Sequence, residues 1–397
     1  VLINTIDINK TRRRIANMSE SWLVSELVKE PETFDLRTPV GLINMLNQTL
    51  DDSTGVTEAE RTTLFPIRDV EAFKLYKEQE AAIWNNSEME FSRDKDDYES
   101  FPEELKHIVD SIFAFFSFAD GRVVENIAFR MLLMSNTIEQ RMFYGLQLFV
   151  EQVHSEFYSK TIDAVIPDPD KRSLLYKALD EMPIMKKKDN WMKSYMQADL
   201  GPAYIIIPYT CVEGIFFQAG FTFILWFKVI GKMDNVVFGN LQVRKDEAKH
   251  RNFGIYKYHS LLESQKISES HITAMIVEAV DLELEFTDYV IPEVIEYRSD
   301  PTREYPESIL DPDHIKTYVK LTGDHLLKSL GCKPHWNIDP ETLPTWIQEI
   351  AMETKNNFYE QRGSNYSQFS TSDLYLGSGS GPPESIDMYA NPDEIAF

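Results

Sequence analysis

Two helix-like stretches carry the same four-residue pattern, Glu151-Gln152-Val153-His154 and Glu247-Ala248-Lys249-His250. Residues three apart in an α-helix share one face, because each step turns roughly 100°. Each stretch therefore offers one carboxylate and one imidazole in the same direction. Two such pairs, joined by one carboxylate from each of two further helices, make a carboxylate-bridged two-metal site inside a helical bundle. Asp120 and Glu213 are the candidates for the further acids. Asp120 follows Ile112-Phe113-Ala114-Phe115-Phe116-Ser117-Phe118, and Glu213 precedes Ile215-Phe216-Phe217. An acid in such a setting needs compensation, and a divalent metal supplies it. Either acid alone reads better as a helix break or a hydrogen-bonded core group. In the order Asp, Glu-x-x-His, Glu, Glu-x-x-His, the set favours metal. A third match, Glu104-Leu105-Lys106-His107, lies among charged residues just after Pro102, and reads as an exposed helix start whose acids suit the macrodipole.

Tyr158 adds to the pattern. Glu151, His154 and Tyr158 fall at roughly 0°, 300° and 700° around a helix, so they share a face. A phenol beside an oxygen-activating metal pair is open to one-electron oxidation. It also fits as a core tyrosine hydrogen-bonded to a metal carboxylate. Four carboxylates and two imidazoles suit iron or manganese with positions open to oxygen; zinc usually takes fewer ligands and more sulfur.

The rest of the sequence agrees with an all-α protein. It has 397 residues, 43% of them hydrophobic and only 16 of them Gly, enough for one large core or two modest ones. A net charge of −24 argues against a general nucleic-acid or anionic-membrane binder. Cys211 and Cys332, far apart in sequence, suggest a reducing, cytoplasmic setting rather than a disulfide scaffold. The first residues do not read as a signal peptide. Residues 203–229 are apolar and long enough to span a bilayer, but Pro208, Gly214, Gly220 and Glu213 interrupt them. A buried bundle helix is the better reading.

Residues 1–60 read as a partly helical N-terminal extension. It carries a solvated basic arm at Lys10-Thr11-Arg12-Arg13-Arg14 and a helix start at Thr38-Pro39. Residues 61–335 read as the metal-binding core. Helices are expected near 68–86, 102–128, 136–165, 169–181, 202–230, 236–262, 266–290 and 306–330, the last closed by Gly331. Residues 336–397 read as a flexible tail. It holds Gly-Ser-Gly-Ser-Gly-Pro-Pro at 377–383, five acids and no Lys or Arg from Ser367 onward, and a terminal Glu394-Ile395-Ala396-Phe397 suited to docking.

Longer motifs go beyond spacing. Phe65-Pro66-Ile67, Tyr76-Lys77, Ala81-Ala82-Ile83-Trp84, Ala119-Asp120-Gly121, Phe143-Tyr144-Gly145-Leu146-Gln147, His154-Ser155-Glu156, Val212-Glu213-Gly214-Ile215-Phe216-Phe217 and Arg244-Lys245-Asp246-Glu247 stand out. From about Phe65 to Tyr366 the sequence resembles the small, radical-generating subunit of class I ribonucleotide reductase, in its eukaryotic or viral form. Residues 1–60 and the tail beyond Tyr366 depart from that family.

The resemblance implies a ferritin-like bundle, usually a homodimer. Asp120, Glu151 and His154 would hold one metal, and Glu213, Glu247 and His250 the other, as two iron or two manganese ions. Tyr158 takes the radical position, shielded by Phe217 and Phe221. Asp246 would bridge Trp84 to His154 on the outward path, and Tyr366 would relay the radical to a large catalytic subunit after dioxygen activation. Two other readings remain open: a ferritin-like metal oxidase acting on a small apolar substrate, and a non-catalytic storage or interaction protein. Neither needs Trp84 or a tail tyrosine.

Overall fold

A hydrogen-bonded cap opens five of the helices. Asp69, Thr137, Asp168, Ser268 and Asp311 each accept a backbone N–H of the helix that follows, where the first turn has no internal partner. The computed structural model describes residues 61–350 except 88, 178–181, 197–199, 292–294 and 297–308. The basic arm, Thr38-Pro39, Tyr366 and the docking tail lie outside the described residues.

The helices are α1 (Val70–Glu80), α2 (Ser92–Ser100), α3 (Glu103–Asn126), α4 (Ile138–Val165), α5 (Pro169–Leu175), α6 (Pro183–Met196), α7 (Ala203–Cys211), α8 (Gln218–Val229), α9 (Asp234–His259), α10 (Glu269–Val290) and α11 (Pro312–Ser329). Ile295–Glu296 and Ile309–Leu310 form a two-residue antiparallel pair in this all-helical architecture. In the bundle, α4 packs on α1 and α3, α9 packs on α7 and α8, and α10 packs on α11. The core between them is rich in aromatic side chains, including Phe113, Phe116, Phe157, Phe217 and Trp226.

Several boundaries differ from the sequence expectation. The helix expected over 68–86 stops at Glu80, which leaves Trp84 on a loop. That loop is pinned by Asn86, whose side chain donates to Val153 O and accepts from Lys160. The helix expected over 202–230 is broken into α7 and α8 by a π-helical turn at Val212–Phe216. The same turn type follows α3 at Ile127–Met131. Such turns insert a residue into the helical ladder and are frequent at functional sites. Gly331 has φ 84° after α11, and Cys332 N–H reaches back to Leu327 O, so the expected glycine stop is present. In the membrane-length span Ala203–Val229, residues 203–227 are buried inside the bundle and Lys228 is exposed.

Candidate metal centre

Four elements bring the acids and imidazoles together. Helix α3 carries Asp120, α4 carries Glu151, His154 and Tyr158, the π-turn carries Glu213, and α9 carries Asp246, Glu247 and His250. All of these side chains are buried. Ligand atoms of Glu151, Glu213, Glu247 and His250 lie within 4.8 Å of one another. Asp120 and His154 flank that group.

The geometry is more tightly crossed than the two sequence pairs imply. His250 Nδ1 is 2.8 Å from Glu247 Oε2, 3.0 Å from Glu151 Oε1 and 4.0 Å from Glu213 Oε2. His154 Nδ1 is 3.1 Å from Glu247 Oε1 and 3.4 Å from Glu151 Oε2. Glu151 and Glu247 therefore each present one oxygen to each imidazole, the disposition of a bridging carboxylate. Glu104 and His107 are exposed and take no part in this cluster; the His107 ring rests against Tyr289.

The donor set fits cations. Among the described residues, both oxygens of Asp120, Glu151 Oε2, Glu213 Oε2, Glu247 Oε1 and His154 Nδ1 are buried with no hydrogen-bond partner. Buried polar atoms rarely stay unsatisfied without a reason such as an ion. Burial pushes the Asp120 and Glu213 carboxyls well above their ordinary range. Burial also opposes charge on His250, but Glu247 and Glu151 outweigh it and bring the imidazole up to about 9. For His154, burial is outweighed by the nearby Asp246, Glu151 and Glu247 carboxylates, again raising it. Without metal, protons on Asp120, Glu213 and the two imidazoles offset the charge of the cluster; divalent cations would take their place.

The outer partners of the imidazoles differ. His154 Nε2 faces Asp246 Oδ2 at 3.3 Å, and Asp246 also accepts from Lys249 at 3.0 Å. His250 Nε2 faces the Gln79 amide at 3.2 Å. Gln147 Nε2 reaches three oxygens: Tyr209 Oη at 2.8 Å, Glu213 Oε1 at 3.0 Å and Glu151 Oε1 at 3.2 Å. Sequence reasoning missed Gln79, Gln147 and Tyr209. The one available signal was spacing: Gln147 precedes Glu151 by one helical turn, and Tyr209 precedes Glu213 by four residues.

Tyr158 is fully buried beside the cluster. Phe116 stacks on it at 4.6 Å between ring centres and 2° between planes, and Phe217 and Phe221 lie behind Phe116 at 5.8 and 5.1 Å. Phe116, which the sequence reading did not single out, is the ring that lies against Tyr158. A Cβ at Gly220 would meet the Phe116 ring at 2.9 Å, so glycine there lets the ring reach Tyr158. Burial, then the charge of Asp120, raises the Tyr158 phenol well above its ordinary range, which keeps it protonated. Its hydroxyl donates to Asn240 Oδ1 at 2.7 Å, not to a carboxylate of the cluster.

Comparison with known proteins gives the family. The family described as ribonucleotide reductase, small chain, matches residues 61–344. One ribonucleoside-diphosphate reductase small chain of Arabidopsis thaliana is 32% identical over 316 residues, covering 88% of the plant protein and 79% of this chain. The small chain of Vaccinia virus (strain Western Reserve) is 32% identical over 307 residues, covering 91% of the viral protein and 77% of this chain. Among solved structures, the Rnr4 homodimer of Saccharomyces cerevisiae aligns with a TM-score of 0.62 at 23% identity, over 92% of Rnr4 and 81% of this chain. The R2 subunit from Clostridium botulinum aligns with a TM-score of 0.63 at 18% identity, over 92% of that subunit and 75% of this chain. The two structures share the fold. The family match and the two relatives, each covering more than two-thirds of the chain, place this protein in the ribonucleotide reductase small-chain family.

Proposed function

We propose that this chain stores an oxidising equivalent on Tyr158 and delivers it to a large catalytic subunit, serving as the small subunit of a ribonucleoside-diphosphate reductase. The observation that carries the proposal is the joint placement of the cluster and the phenol. Glu151 and Glu247 each face both imidazoles, and Tyr158 sits beside them in a dry aromatic pocket.

Asp120, Glu151 and His154 would hold one metal, and Glu213, Glu247 and His250 the other. Two iron ions are the first choice and two manganese ions the alternative. When bound, such a pair supplies dioxygen activation and a one-electron oxidant. The chain's own residues do the rest. Gln147 ties Glu213 to Glu151 and limits their movement. Phe116, Phe217 and Phe221 exclude water from Tyr158. Asp246 orients His154 and joins it to Trp84, whose ring stacks on the imidazole at 6.0 Å. Tyr366 would carry the equivalent across to the partner. Leu343, Trp346, Ile347 and Ile350 are buried in the core, so the part of the tail beyond 350 would dock the large subunit, and the core would form a homodimer. A reducing, cytoplasmic setting matches Cys211 and Cys332, both buried as free thiols.

Electron paramagnetic resonance combined with metal analysis tests the proposal. The metal-loaded, dioxygen-treated protein should show a tyrosyl signal and two transition-metal ions per chain. A loaded protein that turns over with a large subunit while showing no tyrosyl signal would overturn the role of Tyr158. A ferritin-like oxidase would load metal and consume dioxygen without supporting a large subunit.

A further inference from the structure

The hydrogen-bond partner of Tyr158 is an amide whose orientation is locked. Asn240 Nδ2 donates to Val236 O at 2.8 Å, one turn earlier on α9, and this leaves Oδ1 facing the Tyr158 hydroxyl at 2.7 Å. Asn240 is 1% exposed, so water does not compete for either bond. Helix α9 can approach α4 this closely because Gly239 has no side chain. A Cβ there would lie 2.3 Å from the Phe157 ring, which packs edge-on against Tyr158 at 5.0 Å. Asn240 lies seven residues before Glu247, two turns along α9, so one helix positions both the phenol and the cluster.

The geometry points to Asn240 as the positioning residue for Tyr158: a neutral, acceptor-only contact that fixes the phenol ring and keeps its hydrogen bond away from the carboxylates of the cluster. The inference rests on the proposed redox role of Tyr158. An amide oxygen accepts a hydrogen bond but is far too weak a base to keep a proton. Oxidation of Tyr158 would give one electron to the metal pair that the cluster would hold; its hydroxyl proton, which Asn240 cannot keep, would have to leave this bond for a base of the cluster. The oxygen left on Tyr158 then faces Asn240 Oδ1, which has no hydrogen to give. Turning the amide to present Nδ2 would break its bond to Val236 and set two carbonyl oxygens against each other. The oxidised tyrosine is thus left without a donor on this side, and its ring is held by Phe116 and Phe157 alone.

The test needs one radical-free and one radical readout. In metal-free protein, the ultraviolet resonance Raman bands of Tyr158, assigned by subtracting Tyr158→Phe, should report a hydrogen-bond-donating phenol. They should shift to the unbonded pattern in Asn240→Leu. Asn240→Ala serves the same purpose if the larger side chain upsets folding. In loaded protein, the wild-type radical prepared in deuterated water should show no strongly coupled exchangeable deuteron. Asn240→Leu should retain both metals and the wild-type β-methylene hyperfine coupling, because Phe116 and Phe157 alone hold the oxidised ring. Unchanged Raman bands in both variants, or a strongly coupled deuteron in the wild type, would overturn the inference. Absence of any radical in the wild type counts against Tyr158 as the store, and the Raman arm still decides the hydrogen bond.

Discussion

The Trp84 indole N–H donates to Asp246 Oδ2 across 2.8 Å, and the same oxygen faces His154 Nε2. A half-buried indole is thereby connected through one carboxylate to an imidazole of the cluster. Asp246→Asn replaces the acceptor oriented by both rings, and should lower turnover with the large subunit about 10–100-fold. Trp84→Phe keeps the ring packing but removes the donor. It should leave the Tyr158 radical intact while stopping turnover. Radical yield and deoxyribonucleotide formation, measured on the same samples, check this; parallel loss of both signals would place Trp84 in radical formation instead.

Metal content should be two transition-metal ions per chain, held by Asp120, Glu151, His154, Glu213, Glu247 and His250, with none at Glu104 and His107. Ions that bind the folded chain only should raise Tm in a concentration-dependent way. Anomalous diffraction locates the ions. One ion per chain, or any ion at His107, contradicts the assignment.

Tyr158→Phe removes only a hydroxyl from a stacked ring. Its metal content should be unchanged, and its loss of one hydrogen bond to Asn240 should cost about 1 kcal/mol of stability. The radical and the reconstituted reductase activity should both vanish. Full activity in this variant would move the stored equivalent onto the metals.

The tail makes two separable contributions. Tyr366→Phe should preserve metal loading, the Tyr158 radical and partner binding, yet stop turnover. Truncation after Gln368 removes Ile395 and Phe397, the apolar anchors of an acidic segment. It should weaken binding to the large subunit and spare the radical. A binding titration against the large subunit reads both, and equal dissociation constants for full-length and truncated chains would assign docking to the core or to residues 1–60.

Lys257 gives a pH signature away from the cluster. Its amine is buried against Gln140 Oε1 at 2.6 Å and Met134 O at 3.2 Å, and burial pushes it down to about 8. The unfolded chain therefore holds the proton more tightly than the folded one. The resulting penalty is fully present below pH 8 and fades as pH rises towards about 10.4, the ordinary lysine value. Lys257→Met should thus compare with wild type more favourably at pH 7 than at pH 10, by about 2 kcal/mol. Denaturant unfolding at both pH values measures it; a difference independent of pH would mean that the amine titrates normally.

Much of the site was legible because helical periodicity is a local property. Spacings of three and seven residues put Glu151, His154 and Tyr158 on one face of α4, and Glu247 and His250 on one face of α9, before any packing is known. Acids embedded in phenylalanine-rich runs marked Asp120 and Glu213 for the same reason: their burial follows from their neighbours. Helices α2 and α6 were not legible. The run Ser92–Ser100 is too polar to show an apolar face. Its place is secured by long-range bonds, with Asp94 accepting the N–H groups of Asn235 and Val236 at the start of α9. Lys186-Lys187-Lys188 in α6 looks like a solvated charge run, yet Lys188 is buried against Glu283 and the rings of Phe115 and Phe286.

The sequence by itself determined the helical class, the family motifs and which residues share each helix face, because these depend on residue type and spacing within one element. Only the tertiary structure decided what meets across elements. It crossed Glu151 and Glu247 over both imidazoles, set Gln79 behind His250, turned Trp84 inward from a loop, and gave the Tyr158 hydroxyl to Asn240. Those pairings join residues from 82 to 171 positions apart, as in Tyr158 with Asn240 and Gln79 with His250. They depend on how closely two helices approach. At Tyr158 that distance is set by the missing side chain of Gly239, whose effect appears only when the Phe157 ring is packed against it.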